Sequence, residues 1–260
     1  MSANSPVVEM SEITMKWRSN IVLDNLNLFV NKGERIAIVG PSGSGKSTIL
    51  RLLAGLLMPT EGKLKLFGKK QEYLRLDQNN PPDVRIVFQN PALLGSLTVE
   101  ENVGFLLKRN KYLDDISIKE KVNLCLKKVG LYDIADKLPG QLSGGMQKRV
   151  SFARALIDEN IQSDASPLLL YDEPTAGLDP IACTRIEDLI VRTTDFAKGS
   201  SIVVSHVLST IERSSERVIL LYGGEFQWSG SVSEFKQSDN SYVKQFRTGS
   251  LQGPMQPNDI

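Results

Sequence analysis

The stretch GPSGSGKST at positions 40–48 combines residue types that bind phosphate groups. It fits the pattern G-x-x-x-x-G-K-[ST], in which glycines let backbone N–H groups converge on a phosphate. Lys46 would reach the β- and γ-phosphate oxygens, and Ser47 would supply an oxygen ligand to Mg²⁺. We therefore predict a nucleotide site with Mg²⁺. Its predicted contacts are Gly40, Ser42, Gly43, Gly45, Lys46, Ser47 and Thr48.

Two adjacent carboxylates follow an apolar run in LLLYDEP at 168–174. A strand that ends in Asp172 and Glu173 would place both acids beside a phosphate loop in this class of fold. We predict that Asp172 holds Mg²⁺ through water. Glu173 would face the γ-phosphate and take a proton from an attacking water. Together with the phosphate loop, the acidic pair predicts nucleotide hydrolysis.

The stretch LSGGMQ at 142–147 resembles a second, incomplete phosphate site. Ser143 and the amides of Gly144 and Gly145 precede an amphipathic run, and a helix start of this kind attracts a terminal phosphate. The stretch lacks the lysine and the metal-binding hydroxyl of the first site, and it lies in a different part of the chain. We therefore predict a head-to-tail dimer with twofold symmetry. In it, each LSGGMQ contacts the γ-phosphate of the ATP bound to the other copy.

The elements that must position these residues follow one another in strand–helix order. RIAIVG at 35–40 is typical of a buried strand, and the next run has helical spacing. Strand signals return after a helical stretch, so we predict an α/β fold with a mainly parallel sheet and an inserted helical subdomain. The predicted approximate boundaries are 1–98 and 161–240 for the core with a β subdomain, 99–160 for the helical subdomain and 241–260 for a C-terminal tail, of which we expect residues 249–260 to be extended.

The composition of the 260 residues excludes several classes of protein. Lys plus Arg number 31 and Asp plus Glu number 30, so the net charge of +1 gives no reason to expect nucleic acid as a partner. Cys125 and Cys183 lack the spacing of a zinc site or a disulfide framework. No apolar run approaches the roughly 20 residues of a membrane span. We expect a soluble protein that another chain holds at a membrane.

These motifs, in this order, resemble those of the ATP-binding cassette (ABC) ATPases over nearly the whole chain. The resemblance implies a RecA-like core, an antiparallel β subdomain, and hydrolysis of ATP with Mg²⁺. Trp17 would stack on adenine, Gln89 would contact Mg²⁺ and water and sense a membrane partner, and His206 would bond the γ-phosphate. The implied nucleotide contacts also include Gln147 of the signature stretch LSGGMQ and Asp179 of AGLDP, which would face the other copy.

The type of ABC protein is indicated by the motifs and by what surrounds them. The chain carries one cassette and no sustained heptads before the signature, which favours a transporter subunit over translation and chromosome members. LSGGMQKRVSFARAL, DEPTAGLDPI and QFRTGSLQGP are similar to the Mla-type ATPases, above all to the cyanobacterial and chloroplast branch.

That similarity implies lipid transport between envelope membranes, with membrane permeases and an MCE-type lipid-binding protein as partners. The alternative is the ATPase of an importer for a small polar solute such as an amino acid. Because the first residues show neither a signal peptide nor a transit peptide, we expect the cytoplasmic face of a bacterial inner membrane.

Overall fold

The computed structural model describes residues 6–109, 113–157 and 166–256, in which ten strands and eight α-helices are found. The strands are β1 (Val8–Trp17), β2 (Asn20–Val30), β3 (Arg35–Val39), β4 (Glu61–Leu66), β5 (Lys69–Lys70), β6 (Val84–Val87), β7 (Leu168–Asp172), β8 (Ser200–Val204), β9 (Arg217–Tyr222) and β10 (Glu225–Ser231). The helices are α1 (Lys46–Leu53), α2 (Val99–Val103), α3 (Asp115–Lys128), α4 (Gly144–Leu156), α5 (Pro180–Ala197), α6 (Leu208–Ser214), α7 (Val232–Gln237) and α8 (Ser241–Thr248). Within these ranges, none of the helices combines the length and the apolar character that a membrane crossing requires.

The central sheet has six strands in the order β10-β9-β3-β8-β7-β6. Only β10, at one edge, pairs antiparallel, and all other neighbours are parallel. Both faces of β3 are buried: Ile36 and Ile38 face α1 and the second sheet, whereas Ala37 and Val39 face α6, α7 and α8. Parallel strands end at one edge, so the segments that follow β3, β8, β7 and β6 lie side by side.

The second sheet is a four-stranded antiparallel β subdomain in the order β2-β1-β4-β5. The sequence predicts that Leu26, Leu28 and Val30 share one face of a strand, and all three are buried in the structure. They join the cluster that contains Ile49 and Leu50 of α1. The β subdomain therefore packs on the helix that follows the phosphate loop.

The helical subdomain consists of α2, α3 and α4. Each begins at a side-chain cap: Thr98 accepts from the N–H of Glu101, Asp114 from Ser117, and Ser143 from Met146. Helix α2 ends at Val103, so it is shorter than the periodicity up to residue 109 predicts. The predicted boundary at 160–161 lies outside the described residues.

The C-terminal tail differs from the prediction after residue 248, where the sequence predicts an extended segment. Residues 241–248 form α8, and the chain after it folds back until Met255 is buried against the core. Gln245 holds this return: Nε2 donates to the carbonyl oxygens of Ser250 and Met255, and Oε1 accepts from the Met255 N–H. The polar composition of GSLQGPMQ does not predict this turn, because the side chain that bonds to its backbone, Gln245, lies outside the stretch. Residues 257–260 lie outside the described part.

Candidate nucleotide site

The loop between β3 and α1 is shaped by two glycines. Gly40 has φ 151°, and a Cβ there would lie 2.1 Å from the carbonyl oxygen of Leu221. Gly45 has φ 101°, and a Cβ there would lie 2.7 Å from the side chain of Leu23. Gly43, at the tip of the loop, is exposed. The backbone is thus pressed against the sheets at both ends and open between them, as a phosphate cradle requires. Ser42 is exposed at this tip, and Thr48 is partly buried in α1.

Lys46, the first residue of α1, turns its ammonium back onto the loop. Its Nζ donates to the carbonyl oxygen of Gly40 at 2.8 Å and to that of Pro41 at 2.7 Å. Burial lowers the pKa of Lys46, and the carboxylates of Glu173 and Asp172 oppose this shift. An ammonium has three N–H donors, and Lys46 uses two of them toward these carbonyl oxygens. Phosphate oxygens would accept the same N–H donors. The lysine is therefore already placed at the loop.

Ser47 and Asp172 form a pair of oxygen ligands although 125 positions separate them. The Ser47 Oγ donates to Oδ1 of Asp172 at 3.0 Å. Burial raises the pKa of Asp172, and the hydrogen bond from Ser47 opposes this shift. A divalent cation would favour the charged carboxylate.

The donor set around this pair fits Mg²⁺, which is usually held by one or two carboxylates together with phosphate oxygens and waters. Among the residues that the structure describes, no three His, Cys, Asp or Glu side chains form a metal site of their own. A site completed by substrate oxygens agrees with that finding. Ser44, which the sequence analysis did not single out, adds a buried hydroxyl without a hydrogen-bond partner in the same loop.

Glu173 follows β7 in a left-handed backbone conformation with φ 44°. For a residue other than glycine this conformation costs about 1 kcal/mol or more, and such strain is concentrated at functional sites. The Glu173 N–H donates to the carbonyl oxygen of Val204 at 2.9 Å, which ties the strained residue to β8.

The carboxylate of Glu173 faces His206, which follows β8. Oε2 of Glu173 lies 2.9 Å from Nδ1 of His206, but the two groups are not aligned as a hydrogen bond. The glutamate side chain is 14% exposed and the histidine 61%. An oxygen without a hydrogen-bond donor is available to accept a proton from water.

The signature stretch forms the start of α4 and is open to solvent. Ser143 caps the helix, accepting from the Met146 N–H at 3.3 Å. A Cβ on Gly144 or Gly145 would meet no atom within 4 Å. The positive end of the helix is therefore accessible to an anion from outside the chain.

Gln147 has a structural task that the sequence did not predict. Its Nε2 donates to the carbonyl oxygens of Pro139 at 3.0 Å and Leu142 at 3.3 Å. These bonds use both N–H groups of the amide and leave the carbonyl oxygen, an acceptor that does not suit a phosphate. These bonds hold the turn before α4, and the nucleotide contact of Gln147 stays a prediction.

Three residues implied by the family pattern are exposed at the surface of the protein. Trp17 ends β1 and is 48% exposed. Gln89 is exposed in the loop after β6. Asp179 caps α5 by accepting from the N–H groups of Ile181 and Ala182, each at 3.0 Å, and the bond from Ala182 is the main cause of its lowered pKa. The structure thus brings Lys46, Ser47, Asp172, Glu173 and His206 together, and the nucleotide contacts of the other three residues stay predictions.

Two cations on α4 reach this region, and the sequence analysis did not assign them a role. Lys148 donates to the carbonyl oxygens of Pro174 and Ala176, directly after Glu173. Arg154 donates to carbonyl oxygens of the loop after Gln89. Both side chains therefore bond to backbone atoms far away in the sequence.

A comparison with known families decides what kind of protein this is. The profile of the ABC transporter family matches residues 23–176, which is more than half of the chain. The chain belongs to the ABC transporter family. The matched residues include the phosphate loop, the signature stretch and the acidic end of β7. It is accordingly an ABC-type ATPase, the ATP-binding subunit of a transporter.

Two relatives confirm the resemblance to lipid-transport ABC ATPases of the Mla and chloroplast type. Protein TRIGALACTOSYLDIACYLGLYCEROL 3, chloroplastic, of Arabidopsis thaliana is 44% identical over 96% of this chain and 75% of that protein. The intermembrane phospholipid transport system ATP-binding protein MlaF of Haemophilus influenzae is 34% identical over 97% of this chain and 94% of that protein.

A solved structure confirms the predicted ABC cassette fold. It is a dimeric ATP-binding cassette in a post-hydrolysis state, bound to ADP and phosphate. The two chains superpose with a TM-score of 0.74 at 30% identity, covering 86% of this chain and 98% of that one. The same architecture has therefore been seen as a dimer with nucleotide bound.

Proposed function

We propose that this ABC ATPase hydrolyses ATP in two composite sites between two copies and thereby drives lipid transport between envelope membranes. The proposed ATP site is supported by a difference between two regions of the chain. Lys46, the pair Ser47–Asp172 and Glu173 converge at one edge of the sheet. The start of α4 at Ser143, in contrast, is an open anion site without a lysine of its own.

The first step is binding of ATP, with its phosphates in the loop 40–45 and its adenine on Trp17. Lys46 exchanges two carbonyl acceptors for β- and γ-phosphate oxygens, so it needs no new conformation of the loop. Ser47 and Asp172 would hold Mg²⁺, with Gln89 as a further contact, and the bound ion would neutralise charge on the β- and γ-phosphate oxygens. Thr48, in the first turn of α1, contacts the α-phosphate.

Hydrolysis then requires a group that accepts a proton from the attacking water. Glu173 takes a proton from water as the water oxygen bonds to the γ-phosphorus. The bond between that phosphorus and the β–γ bridging oxygen breaks, which gives ADP and phosphate. His206, 2.9 Å from Glu173, contacts the γ-phosphate and so distinguishes ATP from ADP.

The second copy completes the site. Ser143 and the amides of Gly144 and Gly145 bind the γ-phosphate of ATP held by the other copy, and Asp179 faces that copy. The exposure of this helix start and the dimeric cassette with similar fold support the arrangement. Closing of the dimer around ATP would move permease subunits, and one permease helix would dock beside Gln89.

Lipid is the proposed cargo because the two reported relatives, at 44% and 34% identity, carry lipids in their names. The partners we propose are two integral-membrane permeases and an MCE-type lipid-binding protein, with this chain on the cytoplasmic face of a bacterial inner membrane. We expect no residue of the ATP site to touch the cargo, so the proposal of lipid as cargo rests on the similarity to these two relatives.

A pull-down tests the cargo and the partners. The tagged chain is purified from detergent-solubilised membranes, and the bound proteins and lipids are identified by mass spectrometry. We expect a permease, an MCE-type protein and phospholipid in excess over a control with the untagged chain. A permease that comes with a solute-binding protein instead would contradict lipid transport and support the importer alternative.

A further inference from the structure

Residues 174–176, directly after Glu173, are held by the signature helix. The Nζ of Lys148 in α4 donates to the carbonyl oxygen of Pro174 at 3.0 Å and to that of Ala176 at 2.9 Å. Burial lowers the pKa of Lys148, so the cation is partly removed from water where these bonds form. A lysine held by two carbonyl oxygens fixes the backbone on both sides of Thr175.

The side chain of Thr175 is held from a different direction. Its Oγ1 lies 3.0 Å from Oγ1 of Thr210 in α6, and the Thr210 hydroxyl donates to Oε1 of Glu187 at 2.9 Å. A hydroxyl has one hydrogen, so Thr175 must be the donor toward Thr210. All three side chains are buried, with exposed fractions of 2% or less. The result is a chain of hydrogen bonds with one direction.

Glu187 is the buried acceptor at the end of this chain. Its Oε1 also accepts from the Ser209 hydroxyl at 2.7 Å, and its Oε2 lies 3.3 Å from Nε of Arg213. A buried carboxylate is costly unless it is well satisfied, and α6 provides all of these groups. Glu187 therefore fixes α6, which begins two residues after His206, against α5, which begins directly after Asp179.

We propose that Lys148 and Glu187 are positioning residues that clamp the segment 173–176 between the signature helix and α6. The inference rests on the proposed role of Glu173 as proton acceptor. Neither residue touches the substrate; both act through the backbone and Thr175, which follow a strained Glu173. Strain persists only where the surrounding structure holds it, and the clamp supplies that support.

The clamp has a consequence for two copies. The start of α4 contacts the other copy's ATP at Ser143, and Lys148, about one turn further, contacts the segment after Glu173 of its own chain. One helix is thus shared by two nucleotide sites. Engagement of Ser143 by the partner's ATP would set the position of Glu173 through two hydrogen bonds.

The test of Lys148 uses a matched neighbour. Lys148→Met removes the ammonium and keeps the chain length, and Lys148→Arg restores donors for both carbonyl oxygens. The control is Arg149→Met, because Arg149 also donates to a backbone carbonyl oxygen, that of Gly130, within the helical subdomain. We expect Lys148→Met to lower kcat about tenfold while KM for ATP changes less than about twofold, since misplacement affects the chemical step. Lys148→Arg should recover at least about half of the lost rate, and Arg149→Met should resemble the unmodified chain.

The test of Glu187 cuts its connection to Thr175. Thr210→Val removes the hydroxyl that links the two residues. Ser209→Ala is the control, because it removes a donor to the same carboxylate oxygen and leaves the link intact. We expect Thr210→Val to lower kcat about fivefold at constant KM and Ser209→Ala to leave kcat within about twofold, with similar losses of thermal stability in both.

The outcomes separate this inference from the proposed function. If the unmodified chain does not hydrolyse ATP, the proposed function fails. If it does, but Lys148→Met matches Arg149→Met and Thr210→Val matches Ser209→Ala in kcat, the clamp is wrong and the ATPase assignment stands. A rise in KM with unchanged kcat in Lys148→Met also contradicts the clamp. Should Lys148→Met fail to fold, Thr210→Val decides.

Discussion

The phosphate loop and the signature stretch are two anion sites built in opposite ways. At the loop, glycines press the backbone against other strands, and Lys46 and Ser47 already have protein partners. At the signature stretch, Ser143 caps a helix, and the two glycines that follow have open space where a side chain would be.

The two regions differ in the contacts that fix the positions of their residues. The loop is fixed by the sheet, because β3 belongs to a set of five parallel strands whose ends deliver residues from distant parts of the chain. At the signature stretch, Ser143 and Gly144 are exposed at the start of α4, so we expect the anion bound there to be held by another copy. Changes at the loop should therefore damage folding and chemistry together, whereas changes at the signature stretch should damage only the chemistry.

The largest expected effect is that of Glu173→Gln, which removes the proton acceptor and keeps the shape. We expect kcat to fall at least about 100-fold, since general bases contribute factors of that size. ATP binding should persist because Ser47 and Asp172 remain. Phosphate release and equilibrium ATP binding are the measurements, with Glu225→Gln on exposed β10 as the control. Hydrolysis at the unmodified rate would remove Glu173 from the mechanism.

A mixing experiment tests whether the two regions belong to different copies. Ser143→Arg blocks the signature stretch, and Lys46→Ala disables the loop, so each variant alone should be inactive. A mixed dimer contains one intact composite site, and random pairing should return about a quarter of the unmodified activity. ATPase activity is measured over a range of mixing ratios. Zero activity at every ratio contradicts the shared site.

Matched glycine substitutions separate folding from chemistry. In Gly40→Ala the new Cβ collides with the Leu221 carbonyl oxygen, and we expect a loss of about 2–3 kcal/mol in the free energy of unfolding. In Gly145→Ala no atom is met, and the helix should gain about 0.5–1 kcal/mol. ATPase activity should nevertheless fall in Gly145→Ala, because the methyl group narrows the approach to the amides. Denaturant unfolding and ATPase assays measure both. A Gly145→Ala variant that loses as much stability as Gly40→Ala would show that the signature stretch is not independent of the fold.

The smallest expected effect is at Trp17, where exposure limits the value of stacking. We expect Trp17→Ala to raise KM for ATP about fivefold, which corresponds to about 1 kcal/mol of base stacking. Trp17→Phe should stay within about twofold of the unmodified chain. The two KM values are obtained from ATP titrations of the hydrolysis rate. Equal KM values for Trp17→Ala and the unmodified chain would place the adenine elsewhere.

Local sequence patterns predicted most of the fold, but they did not predict the contacts between residues that are distant in the sequence. The phosphate loop, the acidic strand end, the strand–helix order and the ABC cassette fold all follow from runs of fewer than a dozen residues. Gln147 is an example of a contact that local patterns do not predict: its side-chain amide donates to the carbonyl oxygens of Pro139 and Leu142 and so holds the turn before α4. The C-terminal segment is a second example. Met255 is buried there, and the side chain of Gln245 bonds to both its N–H and its carbonyl oxygen.

The amino-acid sequence was sufficient to predict which residues would carry the chemistry. A phosphate loop is made of consecutive backbone amides, and its glycines, lysine and serine must therefore be adjacent in the chain. Only the tertiary structure decided which distant groups meet: Ser47 with Asp172, Lys148 with the carbonyl oxygens after Glu173, and Thr175 with Thr210. Those contacts depend on the order of the strands and on the packing of α4, α5 and α6. The carbonyl oxygens that accept from Lys148 belong to the backbone, which is chemically the same at every position of a sequence.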